Sequence, residues 1–154
     1  MNISKVGEQI KEFNTHNQEG KEVRLSDYKG QKLIVFFYPK ASTPGCTAEA
    51  CSLRDHFNEL KSLGYSLLGV SADSPKRQTN FRDKYEFPFD LLADEQHEVI
   101  NAFGVWGPKK FMGKEYDGIH RVTFVLDENA TVTHVVKKVT TKTHGLQLLE
   151  LLNA

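Results

Sequence analysis

Two cysteines are the residues of this chain whose type and spacing most directly permit chemistry. Cys46 and Cys51 are its only cysteines among 154 residues, and they lie five positions apart. Three interpretations are open: two small buried core residues, a zinc site with His56 in the pattern C-x4-C-x4-H, or thiol redox chemistry. Zinc sites usually have more closely paired ligands and a fourth group. The choice therefore depends on where the two thiols sit.

Cys46 is predicted to lie in the first turn of a helix that follows a buried strand and a loop of small residues. There, unpaired backbone N–H groups and the helix dipole favour the thiolate, which is the reactive form of cysteine. Cys46 also shares an apolar helical stripe with Ala50 and Leu53, so it faces the protein body, where burial disfavours a charge. An activated Cys46 therefore needs a nearby cation. Arg121, in an otherwise apolar predicted strand, is the candidate.

Cys51 is predicted to lie on another face of the same helix. At about 100° per residue it is rotated about 140° from Cys46, onto the polar side beside Asp55 and Asn58. On an intact helix the two cysteine Cα atoms are about 8.5 Å apart, whereas a disulfide spans no more than about 7 Å. We therefore expect a Cys46–Cys51 disulfide to require unwinding of the first helical turns.

Several neighbours of Cys46 are candidates for supporting its chemistry. The Thr43 hydroxyl can hydrogen-bond the thiolate or a bound oxygen, or it can serve as a plain loop or N-cap residue. Pro39 and Pro44 stiffen the loop and can shield the thiolate from water, besides ending the strand and starting the helix. Glu49, one turn past Cys46, can orient an arginine, although a solvated helix residue is the favoured interpretation.

The apolar patterns that must position these residues alternate between strand and helix spacing. In chain order they predict a hairpin over 12–26, strands at 32–38, 65–72 and 89–93, a helix from 46 to before Gly64, helices at 75–85 and 94–103, a long loop at 104–118, paired strands at 120–126 and 132–139, and a helix at 146–152.

This order predicts an α/β fold with a mixed central sheet, helices on both faces and an N-terminal β-hairpin. It is compatible with a thioredoxin-like sandwich. The length fits one domain over residues 1–154.

The composition excludes several classes of partner. Lys plus Arg and Asp plus Glu number 20 each, so the net charge is zero; this argues against nucleic-acid binding and against anionic membranes. The longest apolar run, residues 33–38, is far too short to span a membrane. The N-terminus lacks the apolar core of a signal peptide, so we expect a cytoplasmic protein. The six histidines show no ligand spacing and are interpreted as surface or capping residues.

Residues 37–55, which include both cysteines, closely resemble the active-site signature of peroxiredoxins. The general pattern Pro-x3-Thr/Ser-x2-Cys is met by Pro39, Thr43 and Cys46. The second cysteine five residues later, Cys51, resembles the bacterioferritin comigratory protein, or peroxiredoxin Q, subfamily. Further similarity in segments 68–73, 103–107 and 116–124 extends the resemblance over nearly the whole chain.

The resemblance implies a thioredoxin-like fold and a thiol peroxidase that reduces H2O2 and alkyl hydroperoxides. It gives Cys46 the peroxidatic role and Cys51 the resolving role. Thr43 would bond the peroxide, Pro39 would shield the pocket, and Arg121 would hold the thiolate. The resemblance further implies recycling by thioredoxin, no metal, flavin or haem, and a monomer or weak dimer.

Two other functions compete with a peroxidase. A disulfide reductase or isomerase on the same fold normally uses C-x2-C, in which both sulfurs meet without unwinding, so C-x4-C disfavours it. A redox-sensing binding module would oxidise slowly or stop after one turnover.

Overall fold

The computed structural model describes residues 1–153, which fold around a mixed five-stranded sheet. The strands of these residues are β1 Asn14–His16, β2 Glu22–Arg24, β3 Lys32–Phe37, β4 Tyr65–Ser71, β5 Asp90–Ala93, β6 Trp106–Phe111, β7 Lys114–Ile119, β8 Thr123–Leu126 and β9 Val132–Val136. The α-helices are α1 Pro44–Asp55, α2 Phe57–Ser62, α3 Pro75–Tyr85, α4 Glu98–Phe103 and α5 His144–Leu152, and short 3-10 helices occupy Leu25–Tyr28 and Thr141–Thr143.

The central sheet has the order β5-β4-β3-β8-β9, in which β3, β4 and β5 are parallel and β8 is antiparallel to both of its neighbours, β3 and β9. Strand β3 is buried on both faces, which is why its sequence is a continuous apolar run. Its side chains alternate between two hydrophobic clusters, one on each side of the sheet. This arrangement confirms the predicted mixed sheet with helices packed on it, and β1 and β2 form the predicted N-terminal hairpin.

The carboxyl ends of β3 and β4 bring together the loop that precedes α1 and the segment that follows β4. The Ala41 N–H donates to Asp73 Oδ2 at 2.7 Å, and the Ser71 hydroxyl donates to the same oxygen at 2.6 Å. Ser42, in the same loop, has a φ of +66°, in the left-handed region that non-glycine residues rarely adopt. The buried Asp73 therefore fixes the path of the chain just before the helix that carries both cysteines.

The helix predicted to run from Cys46 to before Gly64 is divided in two, so that prediction was wrong in its length. The division falls at His56, whose φ of −111° and ψ of 11° end α1. Helix α5 approaches closely here: the Gly145 N–H donates to Ser52 Oγ at 2.9 Å, and a Cβ on Gly145 would lie only 2.5 Å from the Ser52 carbonyl oxygen. Such a contact between distant segments leaves no trace in helical periodicity.

Residues 104–118, predicted as a loop, instead form an antiparallel hairpin of β6 and β7, with Trp106 paired to Ile119. Most side chains of this hairpin are exposed, so no alternation of apolar and polar residues marked its strands. Its turn contains Met112 and Gly113, both with positive φ, as a two-residue hairpin turn of type I′ requires.

No helix within residues 1–153 is both long enough and apolar enough to cross a membrane.

Candidate active site

The site is built at the start of α1, where the chain leaves β3. Thr43 is the extended N-cap residue and Pro44 occupies the first turn, where a missing N–H costs nothing. Cys46 follows in that turn with its side chain buried, 1% exposed. The first N–H groups of the helix therefore lie close to the Cys46 sulfur, at the helix start where the sequence places this residue.

Arg121 supplies the cation that the buried sulfur requires. Its Nη2 donates to Cys46 Sγ at 3.4 Å, and its Nη1 donates to Glu49 Oε1 at 2.6 Å. Burial opposes the guanidinium charge, but Glu49 and Cys46 together raise the pKa of Arg121 above its ordinary value. Arg121 does not lie in a strand as predicted: it precedes Thr123, the first residue of β8. Because Arg121 is not paired in the sheet, its side chain can extend toward the N-terminus of α1.

Glu49 corrects the interpretation of a solvated helix residue, because its side chain is fully buried. Burial raises the pKa of Glu49 to about 7, against the lowering effect of the charge and hydrogen bond of Arg121. Only Oε1 is bonded; Oε2 has no hydrogen-bond partner among residues 1–153 and lies 3.7 Å from His144 Nε2. Arg121 thus contacts both the Cys46 sulfur and the Glu49 carboxyl group, and gain or loss of one proton switches that carboxyl group between its neutral and its charged form.

Thr43 and Pro39 lie in the loop that leads to Cys46. The Thr43 side chain makes no capping bond; its hydroxyl donates to the Lys40 carbonyl at 2.8 Å. The hydroxyl oxygen keeps its lone pairs, so it can accept a hydrogen bond from a bound O–H group. Pro39 is half-buried and lies two residues after the end of β3.

Cys51 is placed differently from the prediction. It is half-buried and packs against the hydrophobic cluster between α1 and the sheet, rather than lying on a polar face. Burial raises the pKa of the Cys51 thiol, and Asp55 raises it further, although Arg54 acts in the opposite direction. Both cysteines are free thiols, and α1 is continuous through both of them. The separation of about 8.5 Å between their Cα atoms on a regular helix therefore applies.

His56, the third residue of the zinc pattern, has Nδ1 3.0 Å from Glu59 Oε1. Residues 1–153 contain no group of three or more His, Cys, Asp or Glu side chains arranged as metal ligands.

Two further residues near the site were missed from the sequence. His144, interpreted there as a surface or capping residue, is fully buried beside Glu49. Lys109 on β6 donates to the Ile119 carbonyl at 2.8 Å. Burial and the charge of Arg121 lower the pKa of Lys109, whereas Cys46 raises it. His144 and Lys109 come from segments distant from Cys46, so no sequence pattern places them at the site. Glu49, in contrast, lies one helical turn after Cys46, and that spacing could have indicated its place near the sulfur.

Comparison with known proteins identifies close relatives over the whole chain. The sequence profile of the AhpC/TSA family matches residues 6–135. The Bcp peroxiredoxin of Haemophilus influenzae is 47% identical over 154 residues, which cover 100% of this chain and 99% of that protein.

Solved structures of similar proteins share the fold. The bacterioferritin comigratory protein of Xanthomonas campestris, studied for its alkyl peroxide reduction, superposes with a TM-score of 0.84 at 34% identity, covering 91% of this chain and 89% of that one. A cysteine-to-serine variant of PrxQ from Xylella fastidiosa superposes with a TM-score of 0.92 at 26% identity, covering 99% and 98% of the two chains. The thioredoxin-like architecture expected from the sequence is thereby confirmed.

Proposed function

Because the chain belongs to the AhpC/TSA family of peroxiredoxins and is a thiol peroxidase, we propose that Cys46 attacks the hydroperoxide and that Cys51 resolves the product as an intramolecular disulfide. Arg121, Thr43 and Pro39 are the remaining residues of this site in the proposal. The substrate class is a peroxide, and we propose both H2O2 and alkyl hydroperoxides, the latter by analogy with the Xanthomonas campestris relative.

One observation carries the choice of Cys46: the Arg121 guanidinium donates to its sulfur at 3.4 Å, at the N-terminus of α1. A cation and a set of unpaired N–H groups favour the same charged form of one thiol. Cys51 lies five residues after Cys46, past the first turn of the helix, and burial raises its pKa. The two thiols are therefore suited to successive roles.

In the first step, the Cys46 thiolate attacks the nearer oxygen of the O–O bond. The S–O bond forms as the O–O bond breaks; sulfur loses two electrons, and the leaving oxygen takes a proton to become water or an alcohol. Negative charge develops on the leaving oxygen, so fixed donors aimed at it lower the barrier. Arg121 and the first N–H groups of α1 supply these donors, with no reorganisation during the reaction.

Thr43 and Pro39 act on the bound peroxide in this proposal. Because the Thr43 hydroxyl hydrogen is directed at Lys40, its oxygen is the acceptor for the peroxide O–H. That bond orients the substrate so that the same oxygen, the one that carries the hydrogen, meets the sulfur, and the other oxygen leaves as water or an alcohol. Pro39, which has no N–H to hydrate, helps to keep water from the thiolate.

In the second step, Cys51 attacks the sulfur of the Cys46 sulfenic acid. The S–S bond forms, the S–O bond breaks, and hydroxide leaves with the Cys51 proton as water. The separation on an intact helix is too large for this bond, so α1 has to unwind locally. Unwinding also frees Cys51 from the hydrophobic cluster that raises its pKa.

We expect disulfide formation to remove the amide-exchange protection of residues 43–56. Protection there depends on the α1 hydrogen bonds, which cannot survive closure of the Cys46–Cys51 bond. Hydrogen exchange would be compared between the reduced and disulfide forms, with β3 as an internal reference that should not change. The Cys51→Ser variant, oxidised at Cys46 alone, is the control that should keep its protection. Equal protection of 43–56 in both wild-type redox states would rule out redox-coupled unwinding.

We propose thioredoxin as the reductant that returns the disulfide to two thiols by thiol–disulfide exchange. Continuous turnover of this kind requires a compartment rich in reduced dithiols, which supports a cytoplasmic location. We further propose that the protein works as a monomer or weak dimer, as its resemblance to the bacterioferritin comigratory proteins implies.

Intact mass after brief exposure of the reduced protein to one equivalent of H2O2 tests the scheme. We expect a loss of about 2 Da, complete before an equal concentration of glutathione has reacted. A stable gain of about 16 Da would mean that Cys46 is oxidised but Cys51 does not resolve it. An unchanged mass would mean that neither thiol is activated.

A further inference from the structure

His144, the first residue of α5, is tied into the protein through both ring nitrogens. Its side chain is fully buried. Nδ1 lies 2.8 Å from Gln147 Oε1, and Nε2 lies 2.7 Å from Thr123 Oγ1. A buried imidazole with two short contacts has a fixed orientation, so the position of its single proton can be assigned from its partners.

The neighbours of Gln147 decide which ring nitrogen carries that proton. Gln147 Oε1 also accepts from the Thr140 N–H at 3.1 Å, and its Nε2 donates to the Lys138 carbonyl at 2.9 Å. The amide oxygen therefore faces the ring, so His144 Nδ1 is the donor and Nε2 is an acceptor. Burial lowers the pKa of His144 to about 4, with Arg121 acting in the same direction and the bond to Gln147 against it. The ring is neutral near pH 7, and its Nε2 lone pair remains an acceptor.

The free carboxyl oxygen of Glu49 lies close to that nitrogen: Oε2 is 3.7 Å from His144 Nε2, which also lies 2.7 Å from Thr123 Oγ1. If Glu49 were ionised, the lone pairs of its Oε2 and of His144 Nε2 would repel each other, and no hydrogen bond would form. A protonated Oε2 would instead donate to Nε2 after a movement of less than about 1 Å. The buried Oε2 has no other partner among residues 1–153, so the neutral carboxyl is the form that this surrounding satisfies.

The charged and titratable groups around Glu49 come from four segments. Arg121 bonds its Oε1 from the segment before β8, and Cys46 lies on the same helix beyond the arginine fork. His144 faces it from α5, and Lys109 on β6 lies within electrostatic range of Arg121 and Cys46. Two anions at Cys46 and Glu49 would compete for the one guanidinium that touches both.

We propose that His144 is a positioning residue of the peroxidase site: it accepts a hydrogen bond from protonated Glu49, so that the charge of Arg121 balances the Cys46 thiolate. The inference rests on the proposed role of Cys46. In proton terms, Cys46–SH and Glu49 carboxylate become Cys46 thiolate and Glu49 carboxylic acid, with no change in net charge. His144 stabilises the second state, and Thr123 shares the same acceptor.

The direct test is the infrared C=O band of a protonated carboxylic acid in the reduced protein near pH 6. We expect a band that disappears in Glu49→Gln and in His144→Leu, and persists in His144→Gln, whose amide oxygen can replace Nε2 as the acceptor. Absence of the band in the wild type, or its persistence in His144→Leu, would overturn the assignment. The band does not depend on peroxide reduction, so failure of the proposed function would be seen separately, as a Cys46 that H2O2 does not oxidise.

The thiolate absorbance of Cys46 gives an independent readout that loss of packing alone would not produce. In His144→Leu, Glu49 ionises at lower pH and takes the charge of Arg121, so the thiolate should form at higher pH and oxidation near pH 7 should slow about tenfold. Above the titration of Glu49 the difference should vanish, because the carboxyl is ionised in both proteins. His144→Gln should follow the wild-type curve.

Thr123→Val keeps the test open should His144→Leu fail to fold. This variant lacks the hydroxyl that competes with Glu49 for His144 Nε2. The Cys46 thiolate should therefore form at lower pH than in the wild type, opposite to the shift expected for His144→Leu. A shift in the same direction as that of His144→Leu would contradict a shared acceptor.

Discussion

Replacing Cys46 with serine is expected to abolish peroxide reduction, whereas replacing Cys51 with serine is expected to leave the first oxidation intact and to prevent disulfide formation. A serine hydroxyl stays protonated where a thiol beside Arg121 can ionise, and it does not form a sulfenic acid. Loss of a covalent nucleophile costs on the order of 10^6-fold in well-studied hydrolases. We expect a loss on that scale, down to the rate of an unactivated thiol.

The Cys51→Ser protein provides the matched comparison because it removes one sulfur from the same helix. Its sulfenic acid at Cys46 should persist and react with dimedone, giving an adduct that the wild type does not accumulate. Cys46→Ala is a second variant that checks folding, since alanine leaves no hydroxyl in the buried site. If Cys51→Ser lost the first oxidation while Cys46→Ser kept it, the two roles would have to be exchanged.

The placement of Cys46 could be predicted because the signals that position it are local. An apolar strand, two prolines and a helical stripe within some twenty residues fix a thiol at a helix start. A buried Cys46 thiolate needs a nearby cation, and this need follows from burial alone. Arg121 is the candidate because it is a cation in the otherwise apolar strand predicted at 120–126. The contact at 3.4 Å agrees with that reasoning even though Arg121 lies outside β8.

Glu49 and Cys51 show where sequence reasoning stops. Helical spacing tells which face a side chain is on, but not which distant segment covers that face. Glu49 lies three positions after Cys46, close to the same face, yet a carboxylate is rarely buried without a partner. Arg121 and His144 provide that partnership, from segments 72 and 95 residues further along the chain.

The largest effect after the loss of Cys46 itself is expected for Arg121→Ala, which should slow the first oxidation by about 10²–10³-fold, the usual cost of one donor to a developing negative charge. Two causes contribute: fewer Cys46 thiols ionise near pH 7, and the leaving oxygen loses a fixed donor. Measuring the rate of sulfenic acid formation against pH separates them. At a pH where the thiolate is fully formed, only the second deficit remains, and we expect it to exceed tenfold.

Arg121→Lys is the control for charge without geometry. A lysine ammonium keeps the positive charge but cannot donate to Cys46 and Glu49 through one planar fork, so its rate should fall between those of the wild type and Arg121→Ala. Because Arg121→Ala leaves the buried Glu49 without its partner, the double variant with Glu49→Gln should be measured beside it; the same rate deficit in both would exclude the unpaired carboxyl group as the cause. Full recovery of Arg121→Ala at high pH would limit Arg121 to ionising the thiol, and the electrostatic role assigned to it in the transition state would then be wrong.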